Sequence, residues 1–187
     1  MPLSVIVILV ILGLGITWLI YSLVWGTPPW INLAVERLSL KMILNDPEKL
    51  TVLGVIENTI LDFHSNKLTD TAPDFMDYLR QLDREGLALI RRFDPDTLSG
   101  QKKLTYNLMQ WYFDQNLRGH RFNYHWIANP VFMGPYPVNQ VFGVQINLVN
   151  FLSTYHQIKG RRSARRYIQR LNLVPWKLAG VMKSLRL

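Results

Sequence analysis

The stretch from Leu3 to Trp25, LSVIVILVILGLGITWLIYSLVW, constrains this chain more than any other, because it runs 23 residues without a charged side chain. A helix of that length reaches roughly 34 Å, enough for a hydrocarbon core of about 30 Å. A lone span in lipid must pair all its backbone groups within itself, so helix is the form open to it. Trp18 lies inside the span, and Tyr21 and Trp25 fall where an interfacial aromatic belt would sit. A cleaved signal peptide is the rival, and it needs a basic start, a shorter apolar run and a small-residue cleavage site. No Lys or Arg precedes the run, and Gly26-Thr27-Pro28-Pro29 lacks an A-x-A pattern, so the segment reads as an anchor. The expected division is a transmembrane anchor over 1–28 and a helical domain over 29–187.

Downstream the apolar spacing is that of helices. Pro28 and Pro29 end the span, and Trp30 to Leu44 carries Trp30, Leu33, Ala34, Leu38 and Ile43 at helical intervals. Asn45-Asp46-Pro47 is a stop and restart: Asp46 suits a cap and Pro47 the first helical position, which predicts a helix from Pro47 to about Thr59. Asp62 to Thr71 reads as polar and irregular. Pro73 opens the clearest amphipathic pattern, with Phe75, Leu79, Leu82, Leu89, Ile90 and Phe93 on one face and Gly86 as a weak point. After Asp94-Pro95, Ser99 is positioned to cap a helix whose apolar face is Leu104, Leu108, Trp111 and Tyr112, running to about Leu117. Pro130, Pro135 and Pro137 forbid a continuous helix over Asn129 to Gly143. Gln145 to Tyr155 is ambiguous between helix and extended chain, with a short pairing conceivable near Val141 to Ile146. Arg162 to Val174 and Trp176 to Leu187 read as two helices broken at Pro175. The fold class is therefore mainly α.

Charge is distributed unevenly. Residues 1–114 hold 10 Lys/Arg and 13 Asp/Glu, whereas residues 115–187 hold 11 Lys/Arg and no acid. A domain surface normally mixes both signs, so the imbalance points to an anionic partner or to an acidic remainder of the same protein. The densest run is Lys159-Gly160-Arg161-Arg162-Ser163-Ala164-Arg165-Arg166, followed by Arg170. On a helix Arg162, Arg165, Arg166 and Arg170 share a face that can meet anionic lipid headgroups or an acidic protein. The plainer reading is a solvated face with Tyr167, Ile168 and Leu171 turned inward. Nucleic acid is the weakest of these partners for a tethered chain.

Motifs of catalysis are missing. There is no Cys, which excludes disulfides, thiolate zinc sites and a cysteine nucleophile. His64, His120, His125 and His156 are the only histidines, and no pair has H-E-x-x-H spacing. There is no G-x-S-x-G elbow, P-loop or G-x-G-x-x-G. Asp94 and Asp96 flank a proline, where carboxylates serve as caps more often than as an acid/base dyad. No metal, cofactor or catalytic residue is therefore expected within this chain.

A series of short motifs occurs in a fixed order: Asn45-Asp46-Pro47-Glu48, Asp62-Phe63-His64, Lys67-Leu68-Thr69-Asp70, and Leu104-Thr105-Tyr106 with Trp111. Tyr136-Pro137-Val138-Asn139-Gln140-Val141-Phe142-Gly143-Val144-Gln145 follows, then Asn150-Phe151-Leu152, His156, and Tyr167-Ile168-Gln169-Arg170-Leu171. From about Ile31 onward this series resembles the bacterial "domain of unknown function 885" family. The resemblance implies a helical protein similar to gluzincin-type zinc metallopeptidases, several hundred residues long, whose H-E-x-x-H helix lies beyond the matched portion. It implies that this chain is an incomplete, N-terminal part of a larger α-rich fold, with zinc expected only in complete relatives. Asn139, Gln140, Gln145 and His156 are then the candidates for lining a substrate cleft, although the same amides can brace a proline-rich loop. Two departures weaken that transfer. Gln157 stands where relatives follow the histidine with Pro, and Arg161 to Arg166 is basic where relatives tend to be acidic.

Two functions follow from these observations. One is a membrane-anchored N-terminal part of a metallopeptidase-like protein, non-catalytic by itself, whose partner is the missing catalytic half. The other is a complete single-pass accessory or scaffold protein, whose basic C-terminal helix binds anionic lipid or a partner protein. The expected location is the bacterial inner membrane. The first cations after the span, Arg37 and Lys41, lean the domain weakly toward the cytoplasm, whereas the exported relatives lean it to the extracytoplasmic side, which is the expectation adopted.

Overall fold

The computed structural model describes residues 3–122, 138, 140 and 143–185. Those residues form seven α-helices and no strand. In order they are α1 (Leu3–Val24), α2 (Ile31–Leu44), α3 (Pro47–Val52), α4 (Pro73–Ile90), α5 (Gly100–Gly119), α6 (Val144–Asn150) and α7 (Arg161–Leu185). A 3₁₀ turn at Pro95–Thr97 precedes α5, and a π-helical segment, Phe151–Tyr155, extends α6. The protein is mainly α, as its periodicity predicts.

Helix α1 is the one described helix long and apolar enough to cross a membrane, a property that a signal sequence near the N-terminus shares. The chain forms two compact units: Met1–Leu40 with Glu85–Asp114, and Lys41–Arg84 with Gln115–Leu187.

In the first unit, Ile31, Ala34 and Leu38 form the buried stripe of α2. The α4 portion contributes Leu87, Leu89 and Ile90. Gly86 gives up helix propensity for a specific reason. A Cβ there would lie 2.4 Å from Phe113 Cζ, so the phenyl ring of α5 packs directly on the glycine backbone. That contact overturns the expected face of α5. Leu104, Leu108 and Trp111 are exposed, at 58%, 56% and 60%, and Tyr106 and Phe113 are buried instead. The helix carries two apolar stripes, and the flat socket at Gly86 selects the one bearing Phe113.

In the second unit, Leu68, Leu148, Phe151 and Leu152 form the apolar core, with Tyr167, Leu173 and Val174 packed against it. Asp46 Oδ1 accepts from the Lys49 amide (3.0 Å) and Pro47 occupies the first position of α3, as the sequence predicts. The helix ends at Val52, short of the expected Thr59. Gly54, Ile56 and Asn58 then take left-handed φ of 65°, 54° and 61°. Such values cost a β-branched residue like Ile56 the most. The segment 62–71 has no regular structure, yet Asp62, His64, Ser65, Leu68, Thr69 and Thr71 are buried.

The remaining differences fall in the last third. Gly143 precedes α6 and Val144 begins it, so the described end of the segment 141–146 is helical and not a strand pairing. Helix α7 runs unbroken through Pro175. Pro175 is exposed, so the carbonyl that its missing N–H leaves free, that of Leu171, lies on the solvent side. Buried residues on both sides of it, Arg170 before and Lys177, Gly180 and Val181 after, hold the two halves in line. A Cβ at Gly180 would sit 2.8 Å from Thr71 Oγ1, and Ser184 Oγ donates to the Thr71 carbonyl (3.0 Å).

Candidate functional site

The polar centre of the second unit is built around Arg170, the largest fully buried side chain described. Its three nitrogens are all engaged. Nε donates to the Lys67 carbonyl (2.9 Å), and Nη1 donates to His156 Nδ1 (2.6 Å). Nη2 donates to Thr51 Oγ1 (2.6 Å), with the His64 carbonyl at 3.3 Å and that of Pro47 at 3.5 Å. The guanidinium also stands 4.8 Å above the Phe151 ring, where the π face adds to its stabilisation. Burial pushes its pKa down to about 10, against the pull of Glu48, Glu57 and Asp62, so it remains charged at neutral pH.

The tautomer of His156 follows from this geometry. Nδ1 accepts from Arg170, so the proton sits on Nε2, which lies 3.2 Å from the Ser163 carbonyl and donates to it. Burial and the adjacent arginine hold the ring neutral by lowering its pKa, although the Ser163 carbonyl pulls the other way. Ser163 Oγ in turn accepts from the amides of Lys159 (2.8 Å) and Gly160 (3.0 Å), which fixes the start of α7.

One turn earlier on α7, Arg166 pairs with the Asp62 carboxylate and donates to the Asp62 carbonyl (2.8 Å) and to Ser65 Oγ (2.5 Å). Burial alone would raise the pKa of Asp62. Hydrogen bonds from Ser65 and the Asn58 amide, with the Arg166 charge, outweigh burial and hold it far below the usual carboxylate range. This explains the strained turn: the left-handed Asn58 aims its N–H at Asp62 Oδ2 (2.8 Å). Two turns later Lys177 pairs with Glu48 and donates to the Thr69 carbonyl (3.0 Å), and Glu48 Oε1 accepts from the Thr69 amide (3.1 Å). Arg166, Arg170 and Lys177 thus bind α7 to α3 and to the 62–71 segment by cation-assisted bonds.

The sequence-level candidates separate accordingly. Arg166 and Arg170 do not face solvent but point inward to their partners, whereas Arg162 and Arg165 are exposed. Nor do Ile168 and Leu171 turn inward, being 57% and 43% exposed. The reason is that four paired polar anchors, Ser163, Arg166, Arg170 and Lys177, occupy the inner face of the helix. Of the cleft candidates, His156 is buried at the arginine centre, Gln140 and Gln145 are exposed, and Asn139 lies outside the described residues. The structure therefore does not bring His156 and the two glutamines to one surface.

A second polar cluster escaped the sequence reading. Asp83 of α4 is buried with Asn116 Nδ2 at 3.3 Å and His120 Nε2 at 3.0 Å. Burial raises the Asp83 carboxyl to about 6, against the lowering effect of Asn116. The available signal was position: Asp83 sits beside Leu82 and three residues before Gly86, on the apolar face.

The described residues do not fit a zinc site. No three His, Asp or Glu among them converge, and His156 commits both ring nitrogens to protein partners. The network's chemistry is that of a brace, since the bonding groups of Arg166, Arg170, Lys177 and His156 are matched within the fold, while His64, buried with Nδ1 3.4 Å from Asp62 Oδ1, finds no hydrogen-bond partner for its ring nitrogens among the described residues. The short motifs at 45–48, 62–64, 67–70 and 167–171 are the segments that meet in it.

The family described as "Bacterial protein of unknown function (DUF885)" matches residues 47–187. No curated protein and no solved structure matches the chain.

Proposed function

Because the chain belongs to the family of bacterial proteins of unknown function DUF885, we propose that it is a membrane-anchored, non-catalytic helical part of a metallopeptidase-like protein. The observation that carries this reading is an inversion of the usual active-site pattern. Ionisable side chains that could perform chemistry are buried and paired with one another, whereas large apolar side chains face outward. Arg170 and His156 are sealed inside, and Ile168, Trp176 and Met182 of the same helix are 57%, 46% and 55% exposed. A protein surface of that kind is made to be covered by other polypeptide. In this reading α1 crosses the inner membrane once and holds the rest on the extracytoplasmic side. The zinc chemistry that the family resemblance implies belongs to the polypeptide docked on that surface.

The test is peptide hydrolysis by the purified chain in lipid nanodiscs, with and without added zinc. No hydrolysis above the buffer rate is expected. Zinc-dependent cleavage by the 187-residue chain alone would overturn the non-catalytic assignment.

A further inference from the structure

The outer face of α7 carries a seam. Ala164, Ile168, Leu171, Pro175, Leu178, Met182 and Leu185 alternate at intervals of four and three residues. This is the heptad spacing with which one helix receives another. The seam is open: Ile168 is 57% exposed, Leu171 43%, Leu178 39%, Met182 55% and Leu185 42%. It spans three heptads, or roughly 32 Å of helix. The opposite face is already anchored through Arg170 and Lys177, so the seam is not a core face left unburied by misregister.

The flank of the seam decides what fits it. On one side Tyr167, Val174 and Val181 turn into the fold. The other side carries exposed Arg162, Arg165 and Lys183. No Asp or Glu occurs anywhere in residues 115–187 to offset them. A second copy of this chain would set arginine against arginine along the pair, which costs affinity and selects against it.

We propose that the outer face of α7 is a docking seam for one amphipathic helix, about three heptads long, whose flanking positions are acidic. The inference rests on the reading of the chain as a non-catalytic docking part and specifies the partner. Apolar side chains at the partner's a and d positions enter the holes between Ile168, Leu171, Leu178 and Met182. Its Glu or Asp side chains meet Arg162, Arg165 and Lys183, which fixes orientation and speeds encounter.

The experiment uses the full chain in nanodiscs of zwitterionic lipid and two fluorescent 21-residue peptides. Both carry Leu at a and d; one has Glu at the flanking positions and the other Lys. The Glu peptide is expected to bind at least ten-fold more tightly. Leu171→Asn combined with Met182→Asn should weaken it more than ten-fold while leaving the far-UV circular dichroism unchanged, since both residues are exposed. Equal affinity for the two peptides, no binding of either, or binding unaffected by the double variant would each overturn the proposal. The chain has no Cys, so Met182→Cys takes a single environment-sensitive dye. Emission characteristic of lipid before peptide is added would show the seam lying on the bilayer, and would also overturn it. Peptide hydrolysis by the chain would instead refute the non-catalytic reading and leave the binding result standing.

Discussion

Replacing Arg170 by Met removes a side chain that joins α3, the 62–71 segment, the π-helical segment and α7. Three partners lose a donor inside the fold: the Lys67 carbonyl, His156 Nδ1 and Thr51 Oγ1. An orphaned buried polar group costs about 1–3 kcal/mol, so the gross loss is roughly 3–9 kcal/mol. Against this, methionine escapes the cost of burying a cation. The guanidinium pKa, pushed down from 12.5 to about 10, puts the net bias against the cation, after the pull of the neighbouring carboxylates, at roughly 3 kcal/mol. The balance for a mid-range loss is a destabilisation of about 3 kcal/mol, a large fraction of the 5–15 kcal/mol typical of a domain. The assay is urea unfolding of the full chain in nanodiscs, followed by circular dichroism, with exposed Arg165→Ala as the control expected within about 0.5 kcal/mol. An Arg170→Met midpoint indistinguishable from that of Arg165→Ala would refute the claim that Arg170 is the structural hub. Hydrogen exchange gives an independent readout: amides of 62–71 should lose protection before those of α4.

Four further outcomes follow from the same structure. Asp83→Asn should stabilise the protein increasingly as pH rises: the raised carboxyl contributes most below its ordinary value of 3.8 and loses that contribution through about 6. The gain approaches roughly 3 kcal/mol above pH 7, and a pH-independent difference between variant and parent would count against it. His64 and His156 are held neutral by burial with pKa values below the ordinary 6.5, so the stability that depends on their neutral form should be fully present above that pH and be lost on acidification below it; the double variant His64→Gln, His156→Gln should flatten this part of a stability–pH curve. Gly86→Ala drives a methyl into the Phe113 ring and should cost about 1–3 kcal/mol, with Phe113→Leu recovering part of it in a double-mutant cycle. Pro175→Ala restores an internal hydrogen bond to a helix that is already continuous, and should raise the unfolding midpoint by an equivalent of about 1–3 kcal/mol; no gain would favour two helices meeting at Pro175.

The burial of cations on α7 shows where sequence reading reached its limit. Arg166 and Arg170 look like two more members of a basic face, because Arg162 and Arg165 lie beside them and helical spacing treats all four alike. Their inward turn is set by Asp62, Ser65 and Lys67, about a hundred residues earlier, and by a loop whose left-handed residues bring Asp62 under the helix. The face of α5 is a similar case. Leu104, Leu108 and Trp111 form a cleaner stripe than Tyr106 and Phe113, and only the bare backbone at Gly86 on another helix favours the latter.

What the sequence determined alone was whatever depends on neighbours a few residues away. Hydrogen bonding within a helix and its capping are local, so the apolar helix α1, the Asp46-Pro47 start of α3, the amphipathic α4 and the mainly α class were legible from spacing and residue type. The tertiary structure decided which apolar stripe is buried, which cations are structural, and that Pro175 does not end α7. Those choices depend on sockets and counter-charges supplied from distant segments, and a single buried arginine gains enough from matched partners to reverse what its own helix position suggests.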